Sequence, residues 1–434
     1  MRVSSLGRPS HPAPRESIWR RARVNPRTRG GSRVSWFHGS PLGRSMVLLH
    51  VLRALAEAMS IVCGLGVLLG IAYTITASVL VGRFFARAPA EPRDHPGVTV
   101  AKPLHGDEWQ LVQHLESFFV QDYPGPVQHL FGVHDANDKA LAAVETLRAR
   151  YPDANIKVVA DARLYGPNRK IANLVNMLEH AEYSVLCLAD SDVLVERDYL
   201  RAVVGALQQP DVGIVTSVYR GIASPGFWPG VAVAMTNYHF LPGVITGLFI
   251  GRARPCFGQT IAFTRATLER IGGLTRFAHH LAEDHALGEA VRQVGAQVVI
   301  PPFVVGHACV EETFAKLYAH ELRWSCTIRA ADRLGHAGSV LMHPVPLALL
   351  ALLFSGGTAV ACGLVVAALA ARALLMLKTS RATGAGLRGA LWLPFVDLLQ
   401  FFVFVSSFFS SHVVWRGTRF RVDREGLLSP ASES

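Results

Sequence analysis

The sequence predicts an α/β domain built on a mostly parallel sheet, with transmembrane helices before and after it. Three observations carry that prediction. Half of the 434 residues are hydrophobic and only 17% are charged, a balance too apolar for an ordinary soluble domain. Long uncharged apolar runs lie toward both ends of the chain. Between them, short β-branched stretches alternate with segments of helical period, the pattern of a parallel sheet covered by helices on both faces.

Residues 1–45 come first. Arg, Pro, Gly and Ser dominate them without any apolar period, so they are expected to be a disordered basic tail. They are acid-poor, like an organelle transit peptide; the reading favoured over that one is an over-extended gene start, with Met46 as initiator. Ten arginines against Glu16 give this tail about +9 of the formal +11. The remainder is close to neutral. Nucleic acid is therefore excluded as a partner, because its footprint needs basic charge on the folded domain. The run 58–81 is long enough to cross the hydrocarbon core, which gives an expected transmembrane helix over 58–82. Arg83, Arg87 and Arg93 follow it and place the next segment on the cytoplasmic side.

That next segment, the domain expected over 95–335, alternates strands at 98–101, 127–133, 156–160, 184–189 and 212–218 with helices at 108–120, 139–150, 169–179 and 197–208. Ligands of such sheets bind beyond the carboxyl ends of the strands. Two acidic clusters lie at such ends: Asp135 with Asp138, and Asp190-Ser191-Asp192. Residues 224–250 are apolar but broken by Asn237, His239 and Pro242. They are either helices and loops against the membrane surface, near an acceptor entrance, or an ordinary buried segment. The stretch 341–376 would be about 54 Å long as one helix. Gly356-Gly357 divides it into a hairpin, and 389–413 adds a third segment whose Pro394 and Asp397 put its start at the interface. The C-terminal transmembrane region thus covers 341–413 in two to three segments. Residues 414–434, with Arg416, Arg419, Arg421 and Arg424, form a basic cytoplasmic tail. The six cysteines have no paired spacing, which suits buried apolar residues in a reducing compartment.

Several residues carry chemistry by type and place. Asp190 and Asp192 at a strand end offer two hard oxygen ligands to a divalent cation that also binds phosphate; the plain alternative is a solvated turn. Asp284 opens a helix, where the dipole favours an ionised carboxylate able to take a proton; alternatively it only caps that helix. Asp135 and Asp138 suit a nucleoside or a turn. Lys170, beside Arg169 at a helix start, suits a phosphate or is a surface charge. His320-Glu321-Leu322-Arg323-Trp324 lies in the helical pattern 312–329. There Arg323 could reach a diphosphate and Trp324 close the site, or the Arg-Trp pair is an interfacial anchor.

Order and spacing add what no single residue does. Lys102-Pro103-Leu104, Gln121-Asp122-Tyr123-Pro124, Asp135…Asp138, Asn168-Arg169-Lys170-Ile171, Asp190-Ser191-Asp192, Glu283-Asp284 and Arg323-Trp324 follow one another. Over about 58–425, ending at Trp415-Arg416-Gly417-Thr418-Arg419-Phe420-Arg421, the chain resembles the ceramide glucosyltransferase family, of the broader type that includes cellulose and hyaluronan synthases. The resemblance implies a GT-A fold, an inverting transfer from a UDP-sugar, Mg²⁺ or Mn²⁺, and a cytoplasmic active site. It makes Asp284 the catalytic base and puts the metal on Asp190 and Asp192. Donor contacts fall to Asp135, Asp138, Lys170, Asp190, His320, Arg323 and Trp324.

Within that family, Pro255-Cys256-Phe257-Gly258, the stretch from Leu281 to Glu289 and His320-Glu321-Leu322-Arg323-Trp324 look most like the bacterial hopanoid-biosynthesis branch. This likeness implies transfer of N-acetylglucosamine to bacteriohopanetetrol at the bacterial inner membrane by a multi-pass enzyme. One departure is His320, where the motif usually opens with Gln or Arg. Ceramide with UDP-glucose is the alternative acceptor and donor. A processive polysaccharide synthase would need a polymer channel, for which three C-terminal segments are too few. A transporter would want more spans with ionisable residues inside them, and a scaffold has no reason to keep Asp190, Asp192, Asp284 and Arg323 together.

Overall fold

The computed structural model of the chain describes residues 41–280, 282–387, 392–410, 412–415, 418–422 and 428–430. Two units divide the chain, Met1–Leu52 and Arg53–Ser434. The described residues of the first, 41–52, are helical throughout. The second holds the sheets, the site and the other helices. Of the expected basic tail, residues 1–40 lie outside the described residues, and 41–45 belong to a helix, Pro41–Phe85. This helix includes the 58–82 span and extends it toward the N-terminus, because apolar residues continue back to Met46 with few breaks.

The strands are β1 Val98–Pro103, β2 Val127–Val133, β3 Asn155–Ala160, β4 Val185–Leu188, β5 Val193–Leu194, β6 Val212–Thr216, β7 Val218–Ala223, β8 Ile261–Thr264, β9 Gln297–Val299 and β10 Val304–Cys309. Seven form one sheet in the order β3-β2-β1-β4-β8-β6-β9. Neighbours are parallel except at β8, which is antiparallel to both β4 and β6. The mostly parallel α/β fold expected from the alternation is therefore present. β1 and β4 are almost wholly buried, whereas β3, at the edge, is exposed or half-buried at every position but Val159. β4 accordingly reads as an unbroken apolar run, whereas β1 also buries Thr99 and Lys102.

Two expected elements changed. The helix at 108–120 shrinks to Leu111–Glu116, entered through Gln110 in a left-handed conformation at φ 52°. The strand expected over 212–218 divides: β6 stays in the large sheet, and β7 joins β10 and β5 in a second sheet. Ser217, fully buried, is where the chain changes sheets. β5 is the pair of residues directly after Asp192, so the second sheet begins at the acidic cluster.

Two helices, Ser45–Phe85 and Ala359–Thr383, are long and apolar enough to cross a membrane. A third candidate is the pair Arg333–Met342 and Pro344–Phe354, bent by 68°. Gly356 and Gly357, at φ +66° and +87°, make the turn between Pro344–Phe354 and Ala359–Thr383, as the hairpin reading requires. Helix Leu393–Ser407 is too short for a span. Its Asp397, expected at the interface, is instead buried and takes a bidentate pair from Arg372 of Ala359–Thr383 at 2.6–3.1 Å. Polar residues inside apolar helices face protein partners because lipid offers none. Residues 224–250 are helical from Phe227 to Phe249, with a π-turn at Thr236–Phe240, and most of their polar side chains face inward. In and just before the expected tail 414–434, the described residues form strands β11 His412–Trp415, β12 Thr418–Val422 and β13 Leu428–Pro430, paired antiparallel. All six cysteines are free, and all but Cys362 are buried.

Candidate active site

The site forms where β1, β4 and helices Arg169–Leu178 and Glu283–Gln293 end or begin together. Asn168 caps the first of these helices by accepting from Ile171 N at 3.1 Å. The same side chain donates to His280 O at 3.0 Å and to Glu283 Oε2 at 3.2 Å, which ties the two helix starts together. Lys170, in the first turn, then points at the acidic cluster. Its Nζ lies 2.6 Å from Asp190 Oδ1 and 3.2 Å from Glu283 Oε1. Burial works against the Lys170 charge, but Asp190 and Glu283 hold its ammonium well above the ordinary range. Asp190 is raised by burial against the opposing pull of Lys170.

Asp284 joins this cluster from the other side. Its Oδ1 accepts from His285 N at 2.7 Å and its Oδ2 from Gly258 N at 3.1 Å. Burial and the neighbouring Glu283 charge push its carboxyl up to about 7, against Lys170 and the two backbone donors. Gly258 is the keystone of this arrangement. A Cβ there would sit 2.9 Å from Lys170 Nζ, 3.4 Å from Asp190 Oδ2 and 3.6 Å from Asp284 Oδ2. The three charged groups therefore converge over one residue that has no side chain. Thr216, at the end of β6, fixes the approach by accepting from Phe257 N at 2.9 Å and donating to Phe257 O at 3.0 Å.

Behind the cluster, Lys102 at the end of β1 is buried with its ammonium 3.7 Å above the Phe118 ring. It donates to Asp190 O at 2.8 Å. Burial brings it down to about 7, although Asp192 and Asp190 oppose the shift. Asp192 Oδ2 lies 3.1 Å from His307 Nδ1 on β10. Burial disfavours the Asp192 charge, but His307 holds it below the usual carboxylate range.

Trp324, on helix Phe314–Ala331, packs against Phe240 at 5.7 Å, Tyr219 at 6.0 Å and His307 at 6.3 Å between ring centroids. It forms an aromatic wall beside the cluster. Arg323 is half-buried and faces the charges of Glu283, Glu321 and Glu311, and its side chain makes no ion pair or hydrogen bond among the described residues. His320 is held by Glu311 at 2.5 Å and stacks edge-on beneath Trp324 at 4.6 Å. Asp138 accepts from Gly106 N at 2.7 Å and Ala140 N at 2.9 Å, latching the loop after β1 to the loop after β2. Asp135 accepts from Asn137 N at 2.9 Å, as a turn residue does. The structure thus brings Asp190, Lys170, Asp284 and Glu283 together and sets Trp324 and Arg323 on the wall. It leaves Asp135 and Asp138 in neighbouring loops.

For a divalent cation, Asp190 and Asp192 supply two hard oxygens at the strand end, with Asp192 also touching an imidazole. Among the described residues no three acidic, His or Cys side chains converge on one point. Buried Glu108 Oε2 and His307 Nδ1 beside the cluster have no hydrogen-bond partner there. Such a donor set fits a cation that takes the rest of its ligands from a diphosphate and water. Sequence reasoning gave no role to Lys102, Gly258 or His307. Lys102 and Gly258 do stand inside quoted motifs; His307 is a lone histidine in a strand with no local signal.

Comparison with known proteins adds the following. The family described as "Glycosyl transferase family 21" matches residues 62–428. Ceramide glucosyltransferase 1 of Caenorhabditis elegans is 26% identical over 206 residues, covering 47% of this chain and 44% of that protein. Ceramide glucosyltransferase of Candida albicans is 33% identical over 118 residues, 25% of this chain and 22% of that protein. The chain spans less than half the length of these curated relatives. Among solved structures, a mannosyltransferase from Pyrobaculum calidifontis in complex with GDP-Man and Mn²⁺ aligns at 21% identity and TM-score 0.46, over 81% of this chain and 99% of that one.

Proposed function

The chain belongs to glycosyl transferase family 21, and from that premise we propose that it is a membrane-bound inverting transferase, moving a sugar from a UDP-sugar to a lipid hydroxyl. The observation that carries this reading is the convergence of Lys170, Asp190 and Asp284 over Gly258. It gathers a cation for a leaving phosphate, a carboxylate for a metal and a carboxylate for a proton within one crevice at the strand ends.

In this reading Asp284 is the base. A carboxyl poised near 7 is half ionised near neutral pH, where a general base works best. Gly258 N and His285 N orient it, and it takes the acceptor hydroxyl proton as that oxygen bonds to the anomeric carbon and UDP departs from the opposite face. Lys170 and Arg323 offset the negative charge growing on the diphosphate, the Arg323 side chain having no other pairing among the described residues. Trp324 covers the sugar side and excludes water. Asp190 and Asp192 would hold Mg²⁺ or Mn²⁺, which supplies further neutralisation of the diphosphate. Asp135, Asp138 and His320 complete the donor contacts, the first two by shaping the loops beyond β1 and β2. Arg83, Arg87 and Arg93 after the first span support a cytoplasmic site; the likeness to the hopanoid branch adds the reading of a multi-pass protein of a bacterial inner membrane.

For the acceptor, the names of the curated relatives favour ceramide, with UDP-glucose as donor. The stretches 255–258, 281–289 and 320–324 favour the second reading, N-acetylglucosamine on bacteriohopanetetrol. Purified protein offered either UDP-sugar with either lipid decides between them by mass spectrometry of the product. Ceramide hexoside formation supports the first and N-acetylglucosaminyl-bacteriohopanetetrol the second. No glycolipid from any pairing would sink both.

A further inference from the structure

The first apolar helix is most exposed between Leu55 and Leu69, where large apolar side chains crowd its surface. Beyond that stretch other elements pack on it. A Cβ at Gly70 would sit 3.0 Å from Leu341 O and 3.2 Å from Pro344 Cβ, and one at Gly66 would sit 3.3 Å from Leu347 Cδ1. Ser60 donates to Ala351 O at 3.2 Å. Helix Pro344–Phe354 therefore runs antiparallel to the exposed stretch and starts level with Gly70. The helical segment Arg333–Met342 just before it is bent from it by 68°. With Pro344–Phe354 along the membrane normal, Arg333–Met342 lies much closer to the membrane plane, at the level where the exposed apolar stretch ends.

A turn from another part of the chain meets this segment. In helix Leu241–Phe249, Thr246 shares a hydrogen bond with Tyr73, three residues beyond Gly70. The helix ends in a turn over 250–254 with Gly251 at φ +68°. Arg252 ties that turn to Asp332 at 2.6 Å. Both segments joined by this pair carry bare apolar side chains: Leu334 is 78% exposed, Ile250 64% and Phe249 45%. The charge around them has one sign. Residues 247–254 and 328–338 carry Arg252, Arg254, Arg329 and Arg333 against Asp332 alone. Arg252 takes Asp332, and Arg329 donates to Ser410 O at 2.7 Å. Arg254 and Arg333 are exposed, and their side chains make no ion pair or hydrogen bond among the described residues.

Bare apolar side chains among unpaired arginines suit the headgroup layer of an anionic bilayer. We propose that the turn 249–254 and helix Arg333–Gly338 form a docking rim for anionic phospholipid, with Phe249, Ile250 and Leu334 in the upper acyl layer and Arg254 and Arg333 on the phosphates. A guanidinium matches a phosphate with paired N–H groups. The rim leads into the candidate active site, because Pro255-Cys256-Phe257-Gly258 follow Arg254. Arg292, on the helix that carries Asp284, donates to Arg254 O at 3.0 Å and to Pro255 O at 3.3 Å. Lipid held at Arg254 thus sets the height of the crevice over the bilayer that carries the acceptor. This rests on the reading of a membrane-bound transferase.

The test is photocrosslinking of the full-length protein in nanodiscs of equal parts phosphatidylglycerol and phosphatidylcholine. The photoreactive p-benzoylphenylalanine replaces Ile250, Leu334 or, as a reference, Val360, an exposed apolar residue of helix Ala359–Thr383. Lipid adducts are expected at Ile250 and Leu334, with phosphatidylglycerol favoured at least about fivefold, the worth of one arginine at an anionic surface. At Val360 neither lipid should be favoured. Arg254→Gln with Arg333→Gln should bring the ratio at Ile250 and Leu334 close to parity at unchanged melting temperature. Three results overturn the rim and leave the membrane-bound reading standing: no lipid adduct at Ile250 and Leu334 while Val360 gives one, a cross-link there to a second copy of the chain in place of lipid, or a lipid ratio that the arginine variants do not change. Absence of lipid adducts at all three positions overturns the membrane-bound reading as well.

Discussion

Replacing Gly258 by Ala adds one methyl group at the place where Lys170, Asp190 and Asp284 meet. The new Cβ would sit 2.9 Å from Lys170 Nζ, 3.4 Å from Asp190 Oδ2 and 3.6 Å from Asp284 Oδ2. Ordinary contact begins at about 3.5 Å, so the ammonium must retreat by roughly 0.5–1 Å. Nζ ends a flexible side chain, and the retreat is cheap in folding energy. Gly258 is not among the glycines with positive φ, so Ala meets no backbone strain, and loss of chain freedom in the unfolded state stabilises by about 0.4–1 kcal/mol. The penalty falls on catalysis. The atom that moves holds Asp190 at 2.6 Å and, in the proposed reaction, the leaving phosphate. A 1 Å misplacement at a reacting centre costs up to about 100-fold in rate, near 2.7 kcal/mol. Gly258→Ala should therefore lower kcat by about 10–100-fold, with the melting temperature unchanged or slightly raised. The assay is steady-state transfer from a radiolabelled UDP-sugar alongside thermal unfolding in detergent. A kcat within twofold of the native value would show that Lys170, Asp190 and Asp284 do not act as one site, and that reasoning would fall.

Three further outcomes are expected. Asp284→Asn should abolish transfer while UDP still binds by calorimetry; in the native protein the rate should fall as pH drops through about 7, where Asp284 takes up a proton, and a flat profile from pH 5 to 8 would contradict the base assignment. Asp190→Asn with Asp192→Asn should remove both activity and its stimulation by Mn²⁺, checked by titrating the metal into chelator-treated enzyme. Asp397→Asn leaves the buried Arg372 without its carboxylate and should destabilise by about 3–5 kcal/mol, read as a clear drop in melting temperature.

Much of the domain was legible because its elements obey local rules. β2 has the bounds its apolar run predicts, and helix Arg169–Leu178 starts where Asn168 can cap it. That Asp190, Lys170 and Asp284 meet was legible because helix starts and strand ends leave few places for charge to go. Other features depend on contacts distant in sequence. The split between β6 and β7 follows from Thr216 gripping Phe257, 41 residues away. Asp397 reads as interfacial because Arg372 lies on another helix, 25 residues back. His307 gains meaning only through its strand partner, and no periodicity or spacing could supply that.

The segment 224–250 shows how such distant contacts serve the site. Its polar residues look in sequence like interruptions of an apolar run. In the fold most of them are attachments. Asn237 accepts from Gly221 N at 2.8 Å, holding the π-turn to β7 two residues beyond Tyr219. Tyr238 reaches Ser380 at 3.0 Å and Gly386 O at 2.8 Å, and its own carbonyl, in the π-turn where the regular helical ladder is broken, accepts from Arg372 Nη1 at 2.9 Å. Phe240 then leaves the same turn toward Trp324 and Phe257, each at 5.7 Å. Phe257 precedes Gly258, whose N–H orients Asp284. One irregular turn therefore touches the apolar helices on one side and the aromatic wall on the other. A regular α-helix through 236–240 would rotate everything after it by part of a turn. It could not keep both Asn237 on β7 and Phe240 against Trp324.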